Sequence, residues 1–290
     1  MGINAWNLAK LEMKKWIISP RMVLWIPMVV YINHFAIEPI VRAAEDMSAK
    51  TGYLCRPNLF EGFIAMGTSG LLLMILPLML LVLLSDFPNT EYGSVFLIHR
   101  ISRRDWIIGQ ILFFVMASII FIVIIGLISM SLLIGRSEMS FSWSRVVTKY
   151  GRVFPDRYGD TFSRLLPKQL YNQMTPLGST LHTYLLLLLY SCLIGGILLL
   201  SKMVYQKKAG VVAASIIIIL GAVFCSFRSD PMWVFPMSHS VVWLHYTEYL
   251  REEVLPIHVS YIYMIICNLA LYITSYVFGV RYQFRDMEGI

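Results

Sequence analysis

Residues 107–134 read IIGQILFFVMASIIFIVIIGLISMSLLI, without one ionisable side chain. A helix needs about 20 residues at 1.5 Å rise to cross the hydrocarbon core of a bilayer, so this stretch spans with residues to spare. A membrane β-strand would alternate apolar and polar positions over about ten residues, and nothing here alternates. In lipid every backbone N–H and C=O needs an internal partner, which a helix provides within itself. The segment predicts a transmembrane α-helix over 106–134.

Five further apolar blocks lie at 22–40, 63–85, 182–201, 209–227 and 257–280. Asn33, His34 and Glu38 soften the end of the first. The whole chain fits the same solvent: 58% of its 290 residues are hydrophobic and 14% are charged, with a mean hydropathy of +0.68. Soluble domains sit near half apolar and a quarter charged. The expected fold is an all-α integral membrane protein, one transmembrane domain over 1–290 with about six spans. The connecting segments 41–62, 135–181 and 228–256 are expected on the outer side. A polar first twenty residues and the lack of an A-x-A-like site leave no cleavable signal-peptide pattern.

Lys and Arg gather at span ends, as topology requires. With the amino terminus inside, Lys10, Lys14, Lys15, Arg21, Arg100, Arg103, Arg104, Lys202, Lys207, Lys208, Arg281 and Arg285 are internal. The other twelve of the 24 fall in the outer segments. Those segments are longer, so positive charge is about twofold denser inside, and short loops are where the rule acts. Both termini are therefore expected in the cytoplasm. The net charge of +7 belongs to this pattern rather than to nucleic acid.

Segment 3–17 reads as an amphipathic helix on the membrane surface. At 100° per residue Ile3, Ala5, Trp6, Ala9, Met13, Trp16 and Ile17 share one face, and Asn4, Asn7, Glu12, Lys14 and Lys15 the other. Leu8 and Leu11 are exceptions. Trp6, Met13 and Trp16 would anchor it at the headgroups.

Catalytic motifs are sparse. The spans hold almost no ionisable groups, which argues against a proton pathway through them. The dipeptide Gly-Lys occurs nowhere, so no G-x-x-x-x-G-K-[ST] phosphate loop exists. The cysteines, Cys55, Cys192, Cys225 and Cys267, form no metal or disulfide pattern, and the last three read as small buried hydrophobes. His239 and His245 flank Trp243 with Glu248, Glu252 and Glu253 nearby, a spacing that chance and interfacial aromatics explain better than metal binding or hydrolysis. No catalytic, cofactor-binding or metal residue is assigned.

The segment 86–105, DFPNTEYGSVFLIHRISRRD, joins an acidic residue, a glycine, an apolar quartet and a basic cluster. Such an apolar knob rimmed by charge suits a docking contact, because buried apolar anchors carry affinity while rim charges set register. Glu91, Gly93, Phe96, Leu97, Arg100, Arg103 and Arg104 are the candidate contact residues. The plainer reading is that the arginines hold topology at the headgroups.

Three stretches carry a resemblance: LAKLEMKKWIISPRMVLWI at the start, EYGSVFLIHRISRRDWIIGQ in the middle and VRYQFRDME near the end. With the order of spans they resemble the membrane subunits of ATP-binding-cassette exporters of the type-2 permease family. Glu91, Gly93, Arg100, Ser102, Arg103 and Trp106 match the family's middle motif in type. The resemblance implies an elbow helix before span one, pairing with a second six-helix permease, and a coupling contact from 86–105 to a separate ATPase subunit. ATP-Mg would then sit on that partner, with no cofactor and no enzymatic activity in this chain. It further implies a multi-pass protein of the bacterial plasma membrane moving an amphiphile: a peptide, a drug or a lipid-like molecule. The long segment 135–181 departs from the family's shortest members and leaves substrate handling there open. The rival readings are a polytopic membrane enzyme and a non-transporting sensor or assembly subunit.

Overall fold

The structure, a computed structural model, describes residues 4–88, 101–157, 161–204, 207–248 and 252–281. It is 82% helical, with no strand among the described residues. In chain order the helices are α1 Ala5–Ile18, α2 Pro20–Thr51, α3 Leu59–Thr68, α4 Gly70–Leu84, α5 Arg103–Leu133 and α6 Arg145–Val153. There follow α7 Thr161–Leu165, α8 Lys168–Tyr171, α9 Pro176–Val204, α10 Lys207–Phe227, α11 Pro236–Ser240 and α12 Ile257–Arg281. Among the described residues α2, α5, α9, α10 and α12 are long and apolar enough to cross a bilayer, and α3 with α4 makes a sixth if the bent pair is one span. The chain is thus an all-α, multi-pass membrane protein. The end of the bundle that bears α1 is called proximal below, and the end that bears α6–α8 distal.

The helices depart from the expected bounds in two places. The helix that carries span one does not stop near residue 40: α2 has 32 residues, about 48 Å of helix, and continues through Pro39 to end on Gly52 at φ 73. It continues because Ile40, Ala43, Ala44 and Met47 recur at helical spacing and are buried by the distal segment. Span two is not one rod, because α3 and α4 meet at 82° across Ser69. Gly67, Thr68, Ser69 and Gly70 are poor helix formers in succession. The segments 135–181 and 228–256 carry structure of their own. The first holds α6, α7 and α8, and the second holds α11 between 3-10 turns at Asp230–Val234 and Val242–His245. The helix that carries span three begins close to the expected 106, with Arg103 and Arg104 inside the first turn of α5 and exposed.

Two cores result. In the bundle α9 is central, packing on α3, α4, α5, α10 and α12, around residues such as Phe113, Phe114, Tyr190 and Met264. Polar links join its helices: the Ser129 hydroxyl donates to Asn33, the Asn268 amide donates to Leu189 O at 3.0 Å, and Tyr272 donates to Cys192 O at 2.7 Å. Such bonds matter between helices in lipid, where burial alone offers little drive to associate. The distal core packs Val146, Val147, Tyr150, Phe162, Leu165 and Leu170 against the end of α2. Its edges are pinned by Lys50 Nζ on Val153 O at 2.7 Å and by Arg157 on Asp46 at 2.5 Å.

The amphipathic helix forms, but Met13 and Trp16, expected at the headgroups, pack on the protein instead. Leu8, Ala9, Glu12, Met13 and Trp16 face the protein, while Trp6 is half exposed beneath Lys10 and Ile17 is also exposed. The cause is contact with α5. A Cβ on Gly109 would stand 2.9 Å from Ala5 O and 2.8 Å from the Leu8 side chain, so only glycine lets the two helices touch there. Trp16 meets Phe113 edge-on at 6.4 Å. Trp6, Ile17 and Ile18 are left for headgroups.

Candidate functional site

The break between α3 and α4 frees backbone groups that a continuous span would pair internally, and both distal segments supply partners. Trp243 Nε1 donates to Thr68 O at 3.0 Å, and the Thr68 hydroxyl donates to Leu165 O and to Ala65 O. Trp243 lies in the turn before α12, and Leu165 closes α7. The kink is therefore where the chain's two distal segments converge, in keeping with the rule that non-helical backbone at membrane depth must be covered by protein or line a cavity.

It lines a cavity. About 760 Å³ open beside the break, between Phe35 and Ala36 of α2, Thr68–Leu72, Phe162–Lys168, Arg228, Trp243 and Glu248. Lys168 and Glu248 face each other at 3.8 Å on its rim. Arg228 follows α10 in the left-handed region at φ 48, a conformation costing roughly 1–2 kcal/mol for a residue with a Cβ. Its guanidinium lies 5.0 Å from the Trp243 ring centroid, in the geometry of a cation–π contact.

Glu61 ties α3 to α6. Asn58 caps α3 through a reciprocal box with Glu61, and the same fully buried carboxylate accepts from Ser144 N at 2.9 Å and from the Ser144 hydroxyl at 3.0 Å. One carboxylate thus serves the starts of both α3 and α6, where helix dipoles favour negative charge. Asn58 Nδ2 adds donations to Ser140 O and Ser142 O.

A second polar cluster lies between α11 and α12. His239 Nδ1 and His245 Nε2 each stand 2.7 Å from the Ser260 hydroxyl, and all three residues are buried. The other nitrogens face carbonyls: His239 Nε2 donates to Trp233 O at 2.7 Å and His245 Nδ1 to Val241 O at 3.0 Å. Carbonyls only accept, so the neutral rings turn two lone pairs on a hydroxyl with one hydrogen to give. An added proton would fill the bare contact, but burial opposes it. Desolvation lowers the pKa of His239 and holds that of His245 at about 4. Trp233 packs on both rings and Tyr263 stacks on His239 at 4.1 Å. Ser260 has no exposed surface, and no carboxylate is bonded to either ring among the described residues. The described residues hold no metal-binding group of three His, Cys, Asp or Glu.

At the proximal end, Arg21 donates to Val82 O at 2.9 Å and to the Ser85 hydroxyl at 2.5 Å, and pairs with Asp86 at 2.8 Å. It thereby caps α4 from the start of α2. Phe87 reaches Phe113 at 4.7 Å between ring centroids, beside Trp16. Of the expected coupling residues, Glu91, Gly93, Phe96, Leu97 and Arg100 lie outside the described residues. Arg103 and Arg104 start α5 after the Ser102 cap, whose hydroxyl accepts from Asp105 N at 3.1 Å. Two cations in a first turn oppose the helix dipole, at roughly 0.3–1 kcal/mol each, so local stability does not account for them.

Sequence reasoning passed over Glu61, Ser260, Arg228 and the break itself. The Asn58-x-x-Glu61 pattern was the available signal for the first, and the small residues Gly67–Gly70 for the last. No family model matches the chain, and no curated protein matches it.

Proposed function

We propose that this chain is the permease subunit of an ATP-driven exporter of the ATP-binding-cassette type. It pairs with a second six-helix permease, and a separate ATPase subunit docks at its proximal, cytoplasmic end. The observation that carries the reading is the convergence on Phe113. Trp16 of the elbow helix, Phe87 at the exit of α4 and the start of α5 meet there, with the Arg21–Asp86 pair beside them. Everything that brackets segment 86–105 is thus tied to one aromatic point, so a push on that segment reaches α1, α4 and α5 together. The absence of a phosphate-binding loop from these 290 residues supports a motor outside them. The cargo is an amphiphile, peptide, drug or lipid-like, suited to spans almost free of charge.

Purification of this chain through a tag from membranes of the cells that make it tests the proposal, with the co-purifying subunits identified by mass spectrometry. A stable complex that hydrolyses ATP, and no hydrolysis by this chain alone, are expected. Phe96→Asp or Glu91→Lys should leave insertion intact and weaken docking roughly thirtyfold, the effect of losing about 2 kcal/mol at an interface anchor. If both variants dock and transport like the parent, segment 86–105 is not the contact, and 202–208 becomes the next candidate. ATP hydrolysis by the lone chain would overturn the division of labour.

A further inference from the structure

The cavity beside the α3–α4 break has walls of two kinds. Phe35 of α2 and Leu71 of α4 line it and are each 55% exposed, so in a bilayer they face hydrocarbon and the cavity opens sideways to lipid. Among the described residues its distal wall bears Arg164, Lys168 and Arg228 against one carboxylate, Glu248, an excess of two positive charges. Lys168 is matched by Glu248. Arg164 and Arg228 have no carboxylate within ion-pair distance among the described residues. Arg228 is moreover set in a backbone conformation unfavourable to any side chain and steadied on the face of Trp243. That Trp243 also caps the kink through Thr68 O, so the guanidinium is placed by the same contact that stabilises the break.

A cationic rim above an apolar, laterally open floor matches one ligand chemistry. We propose that this cavity binds an anionic amphiphile of the adjoining leaflet, a phosphate headgroup against Arg228 and Arg164 and its chain along Phe35 and Leu71. Guanidinium groups suit this role because their planar donors match phosphate oxygens in pairs. The site does not depend on the exporter reading: it lies at the end of the bundle opposite 86–105 and is complete without an ATPase.

Native mass spectrometry of the purified full chain in detergent, offered phosphatidylglycerol or phosphatidylcholine at equal concentration, tests this. One retained phosphatidylglycerol per chain is expected, with phosphatidylcholine at least tenfold weaker. Arg228→Gly is the informative variant, since glycine accepts φ 48 without strain. Its thermal midpoint without lipid should equal or exceed the parent's, while retention of phosphatidylglycerol falls about tenfold. Lys14→Ala, in α1 at the other end, should bind like the parent. Equal retention of both lipids, unaltered binding by Arg228→Gly, or complete displacement by millimolar inorganic phosphate would each overturn the proposal, the last by making the site one for a free anion.

Discussion

Gly67→Ala adds one methyl group at the tightest point of the structure. A Cβ there would lie 2.1 Å from Thr183 Cγ2 and 3.5 Å from Leu187 Cδ1. The first distance is roughly 1.5 Å short of carbon–carbon contact. Thr183 is buried in the middle of a helix and β-branched, so its rotamer has little freedom to yield. Helix α3 must therefore lift from α9, loosening the Thr68 bonds to Trp243 and Leu165 that hold the kink. Overpacking costs about 1–3 kcal/mol, and replacing a helical glycine returns about 0.5–1 kcal/mol. A net loss of about 1–2 kcal/mol is expected. Thr183 Oγ1 has no hydrogen-bond partner, so Thr183→Ala removes the obstructing methyl without orphaning a donor elsewhere. The double variant Gly67→Ala/Thr183→Ala should be more stable than the sum of the single effects by about 1 kcal/mol or more. Tryptophan fluorescence during unfolding by a denaturing detergent gives all four corners of the cycle. If Gly67→Ala matches the parent, or the two effects simply add, the close approach of α3 to α9 is refuted.

Three further outcomes are expected. Glu61→Ala leaves the buried Asn58 N and the half-buried Ser144 N without an acceptor, at about 2–3 kcal/mol, so amide exchange across Arg145–Val153 should accelerate; unchanged protection would count against the clamp. His245 is held neutral by burial, with a pKa of about 4 against 6.5 when unfolded. Stability present above pH 6.5 is thus lost as pH falls toward 4, by about 3 kcal/mol at most. The thermal midpoint should fall between pH 7 and 5 and fall less steeply in His245→Gln, and an equal slope in both would remove His245 as the cause. In a Cys55→Ser background, a membrane-impermeant maleimide on intact cells should label a cysteine at position 156 and spare one at 207; the reverse pattern would invert the orientation.

Long spans announce themselves through composition, and α5, α9, α10 and α12 lie close to their expected positions because no alternative buries such blocks. The direction of the backbone within a block is a different matter. Hydropathy is nearly blind to the turn at Ser69, since Leu71–Leu84 is equally apolar whether it continues α3 or turns through 82°. The distal helices were hidden for the opposite reason. Their apolar residues are interleaved with Arg145, Lys149, Arg152 and Arg157, and only the end of α2 completes their core. The two histidines stood out along the chain, but Ser260 joins them only because the chain reverses through Glu253 and Pro256 into α12. Glu61 was legible as a capping residue, and its second role waits on Ser144, far along the chain. Met13 and Trp16 were assigned to the headgroups by angle alone, where the contact at Gly109 decided which side meets the protein.

The two cores sit in different solvents, and that sets how the protein comes apart. Water drives the packing of Val146, Tyr150, Phe162 and Leu170 on Met47, and exposing those groups raises heat capacity. The residues around Phe113 and Tyr190 trade protein neighbours for lipid chains on separating, with little such signal. Urea and cold should therefore loosen the distal helices while the spans stay assembled. A calorimeter would register the distal event with a heat-capacity step and the bundle's with almost none. The cavity at the break lies on the seam between these regimes, and a solute that acts on water alone would empty it first.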